Sequence, residues 1–334
     1  GNDELYGGVG NDTLIGGVTI DAGEGSDTVI LSSATNSVVL GSGENTVDGA
    51  NSTQSGDLTI TSGDESDHIV INNVHGSLTI NAGGGDDYIR DNSIATQFYT
   101  YNIPLWINGG AGDDTLLGNI SEDDPAGGAR GKYWYGWGAG STGVRGGEGD
   151  DYIEWSETTY IYGDVGNDTL IGGRGVYVSN SSIAGSAGWR YYGQYLYGGD
   201  GNDSIDGKEG TDSLYGESGH DTLIGGDGDD YLNGGSGLDS LTGGTGNDSL
   251  YGEGDADTLI GGMGDDSLDG GDSPDSIEGG VGNDTLIGGA GSDTLKAGDG
   301  DDSLDGGLSN EFASGKLRRE PTIGFTEIPP AAHG

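Results

Sequence analysis

The sequence contains no cysteine and a single methionine, Met263. Without a thiol anywhere in its 334 residues, a disulfide framework, a zinc–thiolate centre and a cysteine nucleophile are all excluded. Positive charge is nearly as scarce. Only 11 Lys and Arg stand against 57 Asp and Glu, a formal net charge of −46. A field of that sign repels nucleic acid and anionic lipid, which removes both from the list of partners. Phe occurs three times, Pro six times, and no apolar run approaches the ~18 residues of a membrane span. So little apolar content joined to so much charge is, by itself, the composition of a disordered polyanion. The chain opens GNDELYGG, without Met or a signal segment and part-way through a repeat, and so reads as a piece of a longer polypeptide.

What the chain has in abundance is glycine, 75 residues of it, and the arrangement of that glycine reverses the compositional expectation. From Gly198 to Asp305 the sequence divides into twelve nonapeptides without insertion, the first GGDGNDSID and the last AGDGDDSLD. Position 1 is Gly in eleven of the twelve, Ala297 being the exception; position 6 is always Asp and position 8 always Leu or Ile. Glycines at positions 2 and 4, such as Gly226 and Gly228, Gly244 and Gly246, Gly262 and Gly264, Gly280 and Gly282, permit positive φ and let the backbone curl around a small object. Such a turn aims carbonyl oxygens inward, and the position-6 Asp adds a hard anionic oxygen. Donors of this kind suit Ca²⁺, and nothing softer is offered. Positions 7 to 9 predict a short strand, with the apolar position 8 turned to a core and Ser, Thr or Tyr at position 7 turned outward.

This nonapeptide resembles the calcium-binding repeat of the RTX (repeats-in-toxin) family, as in the RTX regions of secreted bacterial surface-layer proteins and adhesins. The resemblance implies an all-β fold, a parallel β-roll or β-helix solenoid stabilised by rows of calcium ions. Two nonapeptides make a coil of 18 residues, so each turn lies over the turn 18 residues away. One row of expected ligands is Asp203, Asp221, Asp239, Asp257, Asp275 and Asp293; the other is Asp212, Asp230, Asp248, Asp266, Asp284 and Asp302. The family implies an ion between stacked turns, held by Asp oxygens and turn carbonyls from both, hence up to ten sites in the five gaps of each row. Lys208 and Glu217 at position 2, Asp255 and Ser273 at position 4 and Pro274 at position 5 depart from the pattern. The two sites flanking Pro274 are expected to be the least secure.

Residues 1–197 show the same chemistry on a longer period, and are expected to form a wider, irregular roll with one calcium turn per coil. Its expected ligands are Asp12, Asp27, Asp67, Asp87, Asp114, Asp151 and Asp168, leading into Asp203. Asn45 and Thr46 stand where one such turn lacks its Asp, so that rung is expected to bind weakly or to be held by packing. The opposite turns expand into loops that hold most of the aromatic residues, with all five Trp in this zone. Tyr99, Tyr101, Trp106, Tyr133, Trp134, Tyr135, Trp137, Trp189, Tyr191 and Tyr192 either pack as a satellite core or present a surface for a protein or a glycan. Residues 198–305 are the regular roll, and 306–334 a tail that caps it or links onward.

Catalytic signatures are missing. There is no HExxH, no GxSxG elbow and no phosphate-binding GxxxxGK[ST] loop, and the four His are scattered. One apolar residue per nine is too little to offset chain entropy, so folding is expected to be linked to calcium. Families of this type leave the cell by type I secretion. The reading is therefore a non-catalytic, extracellular or cell-surface protein that folds on calcium, a surface-layer, sheath, fibre or adhesin component that associates with itself or with another surface protein. The alternative is a calcium-binding accessory or glycan-binding module of a secreted enzyme or adhesin.

Overall fold

The computed structural model describes residues 3–49, 56–72, 74, 76–91, 105–118, 143–155, 160–173, 176–178, 190–307 and 312–314. Its architecture is all-β, a parallel solenoid. Strands alternate between two 15-stranded sheets, so each coil gives one strand to each face, and consecutive strands of the chain never pair within these sheets. Every ladder in them is parallel, and in the regular part the partner lies 18 residues away: Ser213 pairs with Tyr231, Thr222 with Ser240. Glycine turns replace the helical crossovers that parallel sheets ordinarily need. The exception to the pattern is a short antiparallel pair, Val176–Val178 with Arg190–Tyr192, which stands apart from both sheets.

The strands are longer than the three residues that the nonapeptide suggests. Thr222–Asp227 and Ser240–Thr245 run from position 7 through position 3 of the following repeat, which leaves only positions 4 to 6 as turn. The glycines at positions 1 and 2 are therefore strand residues, and the reason is steric. Neighbouring coils approach so closely there that a Cβ on Gly244 would meet the Gly226 carbonyl oxygen at 2.2 Å. Side chains are nonetheless accepted at some of these places: Lys208, Glu217 and Glu253 at position 2 and Asp255 and Ser273 at position 4 hold φ between 71° and 80°, the left-handed conformation the glycines also use. Around Pro274 the ladder is shortened; the strand Ser249–Gly254 pairs with Ser267–Asp272 only from Ser249 to Tyr251.

The core is a single file. Leu214, Leu223, Leu232, Leu241 and their equivalents at position 8 are fully buried between the sheets, one per strand. Nearer the amino end the file thickens: one coil buries Leu58, Ile60, Ile69 and Ile71 together. Trp155, expected among the aromatic loops, is instead buried in the core, where it fills the space that Gly118 leaves in the neighbouring coil. An indole that large cannot be left in water cheaply when a glycine opens room beside it.

Candidate metal centre

The position-6 aspartates are buried along the inner edges of the turns, and their spacing in space is more regular than in sequence. In the regular part, the main-chain N–H of Asp230 donates to Oδ1 of Asp248, and that of Asp248 to Asp266, each at 2.8 Å. Sequence reading placed Asp212, Asp230, Asp248, Asp266, Asp284 and Asp302 in one row, and this hydrogen-bond chain links all of them at 2.8–3.0 Å. The other row runs through Asp203, Asp221, Asp239, Asp257, Asp275 and Asp293 in the same way, unbroken at Pro274. It continues backward without a gap through Asp168, Asp151, Asp114, Asp87, Asp67, Asn45 and Asp27 to Asp12. Sequence separations along that stretch vary from 15 to 37 residues, yet each contact is 2.6–2.9 Å.

The other carboxylate oxygen is what makes these rows chemically active. Oδ2 of eighteen aspartates, among them Asp114, Asp203, Asp230 and Asp302, is buried without a hydrogen-bond donor. A buried carboxylate oxygen with no partner is expensive and demands a cation or a proton. Burial, reinforced by neighbouring carboxylates, accordingly pushes these groups up: Asp151 and Asp212 to about 8, Asp114, Asp203, Asp248 and Asp257 to about 7, Asp221 and Asp230 to about 6.

In most coils the orphan oxygen lies against the position-1 glycine, packed too closely to leave room for a side chain there. A Cβ placed on Gly225 would lie 2.5 Å from Asp230 Oδ2 and 2.7 Å from the Gly243 carbonyl oxygen; on Gly216 it would lie 2.3 Å from Asp221 Oδ2 and 2.5 Å from the Gly234 carbonyl. A carboxylate oxygen and a carbonyl oxygen from adjacent coils thus converge beside this glycine, and both are the hard donors that Ca²⁺ takes. Among the described residues no three His, Cys, Asp or Glu side chains converge into a ready-made cage. The donor set is one carboxylate per turn with main-chain oxygens, hard and anionic, and it fits Ca²⁺.

A family model described as the RTX calcium-binding nonapeptide repeat (4 copies) matches residues 1–18, 19–47, 106–129, 160–176, 195–214, 206–241, 233–268, 260–295 and 278–310, well over half of the chain. The chain belongs to the RTX calcium-binding nonapeptide repeat family. No curated protein matches it. RTX nonapeptides bind calcium and are typical of secreted proteins, and among the described residues no helix is long and apolar enough to cross a membrane.

Several RTX features escaped the sequence. Gln194 heads the second Asp row: its main-chain N–H donates to Asp212 Oδ1, its Oε1 accepts from the Gly173 N–H and its Nε2 donates to the Trp155 carbonyl. The hint was its place, directly before a Tyr-Leu-Tyr strand, where the repeat puts Asp. A second, exposed ladder runs outside the Asp212–Asp302 row at position 5, where Asp229 accepts from the Asn247 N–H, and Asn247 from Asp265. Asp227 and Asp229 are solvent-facing as their variable positions suggest, but both also tie coils together, Asp227 by accepting from Thr245 Oγ1.

Of the aromatic surface read from the loops, Tyr99, Tyr101, Tyr133, Trp134, Tyr135, Trp137 and Trp189 lie outside the described residues, and Tyr191 and Tyr192 belong to the small antiparallel pair. Trp106 is half-buried on the outer face of the first sheet, with the Arg145 guanidinium 5.8 Å from its ring. Arg145 also lies 4.2 Å over Tyr162 and reaches Asp164 at 2.5 Å. From there Tyr162, Tyr197 and Tyr215 stack with centroids about 5 Å apart, 5.1 and 4.8 Å, a ladder imposed by strand spacing. Their faces are turned to one another, so edges and hydroxyls meet solvent.

Proposed function

We propose that this protein is a calcium-dependent extracellular structural component of a bacterial surface, of the surface-layer, sheath, fibre or adhesin kind, that folds after secretion and has no catalytic role. The observation that carries this reading is the pair of Asp rows, with their orphaned Oδ2 atoms extending over nearly the whole described length. A chain whose main architectural device is a cation row, and whose sequence holds no catalytic motif, is suited to bearing a shape rather than turning over a substrate. The expected ligands are Asp12, Asp27, Asp67, Asp87, Asp114, Asp151, Asp168 and the twelve position-6 aspartates from Asp203 to Asp302, completed by main-chain oxygens of the glycine turns. Bound calcium supplies the positive charge that lets these carboxylates be buried and ionised together. Self-association or contact with another surface protein would follow from the exposed sheet faces.

The second reading, a glycan-binding accessory module, draws on Trp106, Arg145 and the tyrosine ladder. Electron microscopy of the purified chain, in calcium and after chelation, separates the two. Calcium-dependent filaments or lattices are expected. Dispersed particles that bind glycans on an array would replace the structural reading with the second.

A further inference from the structure

The second Asp row has a beginning, and the residue that stands there is an amide. Strand register puts Gln194 in one column with Asp212 and Asp230. On its other side the same column holds Leu58, Leu78 and Leu105, hydrocarbon where the row has carboxylates. The first row does not stop at this coil and runs on through Asp168, Asp151 and Asp114.

Gln194 is only 3% exposed, and both ends of its amide are engaged. Oε1 accepts the Gly173 N–H at 2.8 Å, and Nε2 donates to the Trp155 carbonyl at 3.1 Å. The place of Oε1 is the place of a row oxygen. A Cβ on Gly172 would lie 2.6 Å from Gln194 Oε1 and 2.7 Å from the Gly207 carbonyl oxygen. One coil on, a Cβ on Gly207 would lie 2.9 Å from Asp212 Oδ2 and 2.7 Å from the Gly225 carbonyl oxygen. The surroundings match, but the hydrogen bonding does not. Asp212 Oδ2 is buried without a donor, whereas Gln194 Oε1 has the Gly173 N–H. The amide nitrogen also brings positive dipole to a main-chain oxygen, which is the task of the cation in the regular turns. A neutral amide thus does alone what a carboxylate does only with an ion, and it leaves no uncompensated charge beside the buried Trp155.

Asn45 repeats this arrangement inside the first row, where Nδ2 donates to the Gly43 carbonyl at 2.6 Å while Oδ1 accepts from the Asp27 N–H. Gln194 differs in what it closes. Gly226 and Asp230 of a regular turn are four residues apart, but Gly173 and Gln194 are 21 apart. The extra methylene of Gln lets its amide reach across the mouth of that longer span.

We propose that Gln194 terminates the second ion row: its amide replaces a carboxylate together with its cation, so the row takes calcium from the turn of Asp212 onward and none at the turn of Gln194. The proposal rests on the calcium reading of the Asp rows. Its consequence is an asymmetric solenoid, with ions along both edges of the regular roll and along one edge only in the coils before it.

Native mass spectrometry of the full chain at saturating calcium counts the ions and tests this. The isosteric variant Gln194→Glu sets a carboxylate oxygen against the Trp155 carbonyl, an arrangement that needs a cation, and is expected to carry about one ion more than the wild type. Gln194→Leu, which has no side-chain oxygen to offer, is expected to keep the wild-type count. An unchanged count in Gln194→Glu would overturn the proposal. So would a count lowered in Gln194→Leu, because Gln194 would then be a ligand itself. If Gln194→Glu does not fold, Gln194→Asp, which restores the residue of the regular repeat, decides in the same way. A wild-type chain that takes up no calcium would remove the calcium reading, and the proposal with it; a loaded wild type with an unchanged Gln194→Glu count removes the termination alone.

Discussion

At the scale of one residue, the two oxygens of a position-6 aspartate do different work. Oδ1 joins coils by accepting a main-chain N–H, and Oδ2 is left for a cation. Asn45 separates these roles, because an amide keeps the first and cancels the second. Asp248→Asn should therefore preserve the fold at saturating calcium and lower the stoichiometry in isothermal titration calorimetry by about one or two ions per chain. Asp229→Asn, one rung further out, should leave stoichiometry unchanged because Asp229 is exposed and serves as an acceptor in the outer ladder. Equal losses from both variants would show that calcium is attracted by general charge and not held at the row. The glycine at position 1 matters as much as the aspartate, and Gly234, for instance, has Asp239 Oδ2 only 2.5 Å from where its Cβ would be.

At the scale of a turn row, burial moves many of the carboxylates in one direction. Burial raises Asp221 and Asp230 to about 6, Asp203 and Asp248 to about 7, and Asp151 and Asp212 to about 8, against an ordinary aspartate value of 3.8. Raised folded-state values mean that the folded chain binds protons the unfolded chain has released. That stability is fully present below pH 3.8 and is lost as pH rises through about 6 to 8. The metal-free protein should accordingly gain β-signal in far-UV circular dichroism on acidification from pH 8 to pH 5, with protons filling part of the role of the ion. A metal-free spectrum that does not change across this window would argue that the rows are not buried as described. Calcium should matter most at neutral pH and above, where the protons are gone.

At the scale of the molecule, a formal charge of −46 would favour folding in any salt by simple screening, and this must be distinguished from specific sites. Site binding makes a sharper demand. Far-UV circular dichroism should show folding of the regular roll with a midpoint of about 10⁻⁴–10⁻³ M calcium, typical of extracellular modules. Magnesium at equal ionic strength should fail, because it prefers a rigid octahedron and dehydrates reluctantly. Folding by magnesium or by monovalent salt alone would reduce the Asp rows to a general counter-ion effect. The solenoid form also makes stability nearly a sum of neighbour terms, so losing ions at one place should loosen that place first.

The regular half was legible because its period is short and strict. Nine residues fix which side chain is inside, which is a turn and which aspartate stacks on which, since every coil has the same length. In the irregular half the aspartates read from the sequence do line one row, but the tie between them was not legible. Insertions put Asp114 and Asp151 37 residues apart, and only the stacked coils bring the N–H of one to the carboxylate of the other. Gln194, the buried Trp155 and the tyrosine ladder were hidden for the same reason, because each depends on a neighbour in the next coil and not on a neighbour in the chain. The amino-acid pattern by itself determined the repeating turn and the hardness of the donors. The tertiary structure decided which carboxylate oxygens are left buried without a donor, because that depends on how closely one coil's main chain approaches the next.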